Sequence, residues 1–137
     1  MMNSLASNKG LSLVETMVAI LVFGVSIASL LEVTAQTATM GKRSELSYAA
    51  YSIAKNHIET LKSLPFTATA TAAESNTLVN SLGVPDLAGL FSRTTTVAPN
   101  YSGDTNLVSV TVAVDYKLKN TFVNKPTTIS TVIFQYA

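Results

Sequence analysis

From Thr16 to Leu31 the chain reads TMVAILVFGVSIASLL, without a charged side chain. Extending this run back to Leu11 gives 21 residues interrupted only by Glu15. About 20 apolar residues cross a bilayer as a helix, so the pattern predicts a membrane span. The preceding MMNSLASNKG is polar, and its single charge is Lys9. A positive flank places the N-terminus on the cytoplasmic side. After Glu32 the pattern turns polar without a turn signal. Leu46, Ala50, Ile53, His57, Leu61 and Leu64 then recur at spacings of three and four, which is one face of an amphipathic helix. Glu59 and Lys62 are helical neighbours able to pair. Pro65 ends the pattern, because the residue before a proline disfavours helical geometry. The predicted helix runs from Leu11 to Leu64 and is roughly 80 Å long at about 1.5 Å per residue.

The C-terminal half has the other period. Residues 66–91 read as a connector rich in Thr and Ala, with a turn or short helix start at Val84-Pro85-Asp86. Arg93 to Ala98 is rich in Thr and Val. In LVSVTVAVDYKL, residues 107–118, Val108, Val110, Val112, Val114, Tyr116 and Leu118 alternate with Ser109, Thr111, Ala113, Asp115 and Lys117. This alternation predicts a half-buried antiparallel strand. Asn120 to Pro126 reads as a turn region, and Thr127 to Tyr136 as a further strand. The fold class predicted is α+β: a long N-terminal helix packed on a small antiparallel sheet of three or four strands. The Leu46, Ile53 and Leu61 stripe is expected to meet the Val110, Val112 and Val114 face.

Two simpler accounts of the N-terminal segment compete. A secretory signal has a shorter apolar stretch, about 7–15 residues, and a small-residue cleavage site; neither fits. A plain single-pass anchor leaves Glu15 without a purpose, although acidic residues within spans are rare and mark function. The run Lys9-Gly10-Leu11-Ser12-Leu13-Val14-Glu15-Thr16 resembles the signal of type IV prepilins and type II secretion pseudopilins. The resemblance implies cleavage between Gly10 and Leu11 by a prepilin peptidase and N-methylation of Leu11. It further implies an assembly salt bridge between Glu15 and the Leu11 amine of a neighbouring subunit. Opposite charges attract far more strongly in a low dielectric than in water. The segment AKNHIETLKSLPF, residues 54–66, is similar to the helix end of minor pilins of the PilV kind and pseudopilins of the GspI kind. Leu11 stands where most major pilins carry Phe, and Glu32 lies near where many carry a proline. With the small domain and this helix end, Leu11 points to a minor pilin or pseudopilin.

Composition narrows the function further. Charged residues make up 12% of the chain, against about 25% in soluble domains. Net charge is +1, and Lys117, Lys119 and Lys125 form the one loose basic group. Loss of Lys9 with the leader leaves eight basic side chains against eight acidic ones. That balance, without aromatics interleaved among cations, disfavours nucleic acid as a partner. There is no cysteine and one histidine, so neither a metal centre nor a disulfide is expected. His57 reads as a packed helix-face residue. Among HExxH, GxSxG and phosphate-loop motifs none occurs, and neither a catalytic residue nor a cofactor is expected. The organisation expected is a leader over residues 1–10, a transmembrane and filament-core helix over 11–41, and a domain over 42–137. The function expected is a minor pilin or pseudopilin of a type IV pilus-like filament, first held in the bacterial inner membrane. Its implied partners are other pilin subunits, the prepilin peptidase, and an assembly platform with its ATPase. The alternative is a tip subunit that binds DNA, a surface or secreted cargo.

Overall fold

Fifty consecutive residues form the first element, helix α1, Leu13–Lys62. The structure is a computed structural model and describes residues 12–135. The chain divides after Gly41 into two units, each described by itself. Ser12 to Gly41 contributes only the first part of α1, and all of its side chains are exposed.

The second unit opens with the remainder of α1. Leu46, Ala50, Ile53, Ala54, Ile58 and Leu61 are its buried residues. Leu46, Ala50, Ile53 and Leu61 of the expected stripe are thus buried, and the face differs from it at two positions. Ala54 and Ile58 are buried, His57 is half-buried and Leu64 is exposed. Leu64 lies beyond the helix, which stops at Lys62 and tightens through a Leu64 N–H bond to the Leu61 carbonyl (3.2 Å). Thr69, fully buried in the short helix α2 (Phe66–Ala70), donates its hydroxyl to that same Leu61 carbonyl at 3.0 Å. A carbonyl left over at the helix end is thereby satisfied.

Five strands follow: β1 (Glu74–Val79), β2 (Phe91–Pro99), β3 (Leu107–Leu118), β4 (Thr121–Phe122) and β5 (Thr127–Phe134). All pairings are antiparallel. β3 lies between β2 on one side and, on the other, β5 along residues 107–114 and β4 at residues 117–118. β1 pairs with β2. Three or four strands were expected; β1 and the two-residue β4 make the count five. β4 follows a two-residue turn, Lys119-Asn120, in which both residues have positive φ. Such turns match the twist of a tight hairpin. The Asp115 carboxylate accepts the Asn124 N–H at 3.0 Å and so holds the following loop to β3.

The core lies between the sheet and residues 46–61 of α1. Val108, Val110, Val112, Val114 and Tyr116 alternate into it from β3, joined by Phe91 and Val79. Leu46, Ile53 and Leu61 belong to the same cluster. Gly89 is fixed by close packing in the β1–β2 loop, because a Cβ there would stand 2.3 Å from the Val79 carbonyl oxygen.

Candidate functional site

The chemistry the sequence pointed to sits at the start of α1. Over this stretch large apolar side chains stand open, among them Leu13, Leu21, Phe23 and Leu30, each at least two-thirds exposed. An apolar surface this extended marks contact with lipid or with other chains. α1 has the length and composition to cross a membrane. Its hydroxyls do not oppose that. Ser26, Ser29, Thr37 and Thr39 each donate to the carbonyl four residues earlier, at 2.8 to 3.1 Å. Each hydroxyl is then satisfied within its own helix, as a medium without water requires.

Glu15 lies in the first described turn of α1. Among the described residues it makes neither a hydrogen bond nor an ion pair. Gly10 and Leu11, named for cleavage and methylation, lie outside the described residues. The structure therefore supplies one carboxylate on an otherwise apolar helix face, open to a partner.

Sequence reasoning missed a second constellation, between α1 and the sheet. β1 and β2 change register between Glu74 and Thr77, where Asn76 adopts positive φ. This bulge turns Glu74 onto the core face, opposite Thr95. Its carboxylate accepts two bonds from Arg93, at 2.9 Å from Nε and 3.3 Å from Nη2. Arg93 also donates from Nη1 to the Gly83 carbonyl at 3.0 Å. It is 5% exposed, so pairing and hydrogen bonding are what make its burial tolerable. His57 of α1 completes the group. Its Nε2 is 3.1 Å from the Thr95 hydroxyl and 3.9 Å from the Glu74 carboxylate. Only the inward position of Arg93 and Thr95 in a β-branched run hints at this in the sequence. The arrangement fastens helix to sheet.

Burial, and after it the Arg93 charge, hold the His57 pKa below its usual range, against an opposing pull from Glu74. The sign follows directly. His57 is held neutral in the folded chain, so below about pH 6.5 the unfolded chain binds more protons. The stabilising contribution is fully present above that pH and declines as pH falls beneath it. Thermal melting at pH 7.5, 6.5 and 5.5 should show falling stability, with a shallower fall in His57→Gln. Equal slopes in the two proteins would assign the pH dependence to other groups.

Lys117 extends over the Phe122 ring, 5.1 Å from its centroid, and Lys119 lies in the β3–β4 turn. The basic group is thus spread over a solvated sheet end.

Residues 5–31 match the family described as the prokaryotic N-terminal methylation motif. The match covers the polar flank, Gly10, Leu11, Glu15 and the apolar run. No curated protein and no solved structure matches the chain.

Proposed function

We propose that this chain is a structural subunit of a type IV pilus-like filament, and specifically a minor pilin or pseudopilin. The observation that carries the reading is the methylation motif at residues 5–31 laid over a solvent-open apolar helix whose one early charge is Glu15. In this reading residues 1–10 are a leader. Cutting after Gly10 creates a cationic amine at Leu11, which is then methylated. Residues 11–41 hold the subunit in the inner membrane, N-terminus inside, and later enter the filament core. Residues 42–137 form the domain displayed outside. The partners are other pilin subunits, the peptidase, and an assembly platform whose ATPase supplies the work of extraction. The small domain, Leu11 and the PilV- and GspI-like helix end favour a minor subunit or pseudopilin over a major pilin.

Intact-mass and N-terminal peptide analysis of membrane-associated protein tests the reading. The expected species starts at Leu11 with one added methyl group. Protein that keeps Met1–Gly10 in filament fractions would overturn it.

A further inference from the structure

The face of the sheet turned away from the core is hollow where β1, β2 and β3 lie side by side. Its floor is low because its side chains are small. Ser92 and Thr94 of β2 stand opposite Asp115 and Ala113 of β3, and all four alternate with the buried positions of their strands. Asn76 and Leu78 of β1 form one wall. The other is the segment from Phe122 to Pro126, held to β3 by the bond from the Asn124 N–H to Asp115. Between the walls lies a cleft of about 560 Å³, within the range of about 300–1,000 Å³ that small-molecule sites occupy. A second hollow of about 430 Å³ shares Asn76 and Leu78 with it and reaches Pro85 and Leu87.

The lining selects the ligand by elimination. Among the described residues neither lysine nor arginine lines the cleft. Its one charged group is the Asp115 carboxylate, whose oxygens already accept the N–H groups of Tyr116 and Asn124 at 2.8 and 3.0 Å. A charged ligand therefore meets no free counter-charge. The main chain of the floor is also engaged, because β2 is paired on both sides, with β1 and with β3. An extended peptide could not add to the ladder here as it does at a sheet edge. Side-chain polarity remains. Neither the Ser92 hydroxyl nor the Asn124 amide group has a hydrogen-bond partner among the described residues, and Asn76 engages Thr94 through its N–H and its side-chain oxygen, leaving its NH2 group unused. Hydroxyl and carboxamide groups both donate and accept. Beside them Phe122, Leu78 and Pro126 supply apolar surface, and the negative face of an aromatic ring attracts polarised C–H groups.

We infer that this cleft binds a neutral oligosaccharide, one sugar ring packing on Phe122 while its hydroxyls bond to Ser92, Asn76 and Asn124. A sugar combines the two properties this lining matches: hydroxyls that donate and accept, and a face of C–H groups. The second hollow gives room for a further ring of the same chain. The site lies wholly within residues 76–126 and does not depend on the filament reading.

The test uses the full chain in lauryldimethylamine oxide micelles, a detergent without a sugar headgroup. The probes are cellobiose, maltose, lactose and diacetylchitobiose. Saturation-transfer difference NMR should show saturable binding of at least one of them. Phe122→Leu keeps apolar volume but removes the ring, and should weaken that binding about fivefold or more. Asn124→Gly, which suits the positive φ at this position, should weaken it to a similar degree with unchanged far-ultraviolet circular dichroism. If Phe122→Leu disturbs the β3–β4 hairpin, Ser92→Ala on the floor gives the second readout. Absence of binding by all four probes, or binding indifferent to these changes, overturns the inference. Tighter binding of the anionic sugar sialyllactose overturns the neutral assignment. A dimer of the full chain that Phe122→Leu dissolves would make a second copy the occupant and overturns it equally. None of these readouts depends on cleavage or methylation at Leu11, so failure of the filament reading is seen separately, by mass analysis.

Discussion

A fragment beginning at Lys42 should be soluble and melt cooperatively, whereas one beginning at Pro65 should aggregate. The first keeps the whole of the second unit, and the described residues it discards, 12–41, are all exposed. The second loses Leu46, Ile53, Ile58 and Leu61, each 7% exposed or less. Burying a Leu or Ile side chain contributes about 1.5–3 kcal/mol, so the four together represent about 6–12 kcal/mol. Whole domains are stable by about 5–15 kcal/mol, and the loss consumes most of that margin. It also uncovers the Val108 to Val114 row, fully shielded at present, on a strand with high β-propensity. His57 leaves with the helix, so the Thr95 hydroxyl loses its partner as well. Size-exclusion chromatography with thermal melting checks both fragments. A monomeric, cooperatively melting fragment from Pro65 would show that the sheet is stable without its helix.

The long helix and β3 were legible because each has one strong period. Residues 107–118 alternate without a fault, and their structure follows suit, buried at every even position to Tyr116. On α1, Leu46, Ala50, Ile53 and Leu61 of the expected stripe are buried, whereas Ala54 and Ile58 take the places expected of His57 and Leu64. Ala54 and Ile58 are small or adjacent to polar residues, whereas His57 and Leu64 complete a tidier three-and-four pattern. β1 was hidden for a different reason. A bulge breaks its alternation, its residues are mostly polar, and its anchor is an ion pair between Glu74 and Arg93, 19 positions apart. Long-range pairing of this sort leaves no local signal. β2 was legible from its Thr- and Val-rich run, Arg93 to Ala98, although the core-facing roles of Arg93 and Thr95 within it were not. The N-terminal segment was legible for the opposite reason. Its meaning lies in spacing along the sequence, where Gly10, Leu11, Glu15 and the apolar run are read without knowing what they touch.

Glu15→Ala should leave membrane insertion and processing intact and sharply reduce incorporation into filaments. Insertion survives because removing a charge makes the span more apolar. Processing survives because the scissile bond precedes Leu11. Incorporation suffers because the proposed partner of Glu15 is the Leu11 amine of the next subunit. With the carboxylate gone, that amine is a charge without a counter-ion in a poorly hydrated place, and breaking a buried pair costs more than never forming one. Within its own chain Glu15 holds no hydrogen bond or ion pair among the described residues, so alanine disturbs no contact there and the fold of residues 42–137 should not change. Glu15→Asp should fall between, with the charge kept and its reach shortened. Glu15→Gln separates charge from polarity: it retains hydrogen bonding and should still resemble alanine. The measurement is the fraction of processed subunit recovered in sheared filaments, or crosslinked to other subunits, against the fraction left in the membrane. A plain anchor predicts that all three variants match the unsubstituted chain, and equal incorporation of Glu15→Ala would remove the pairing role from this residue. Failure of cleavage in Glu15→Ala would instead place the carboxylate's action earlier, at the peptidase.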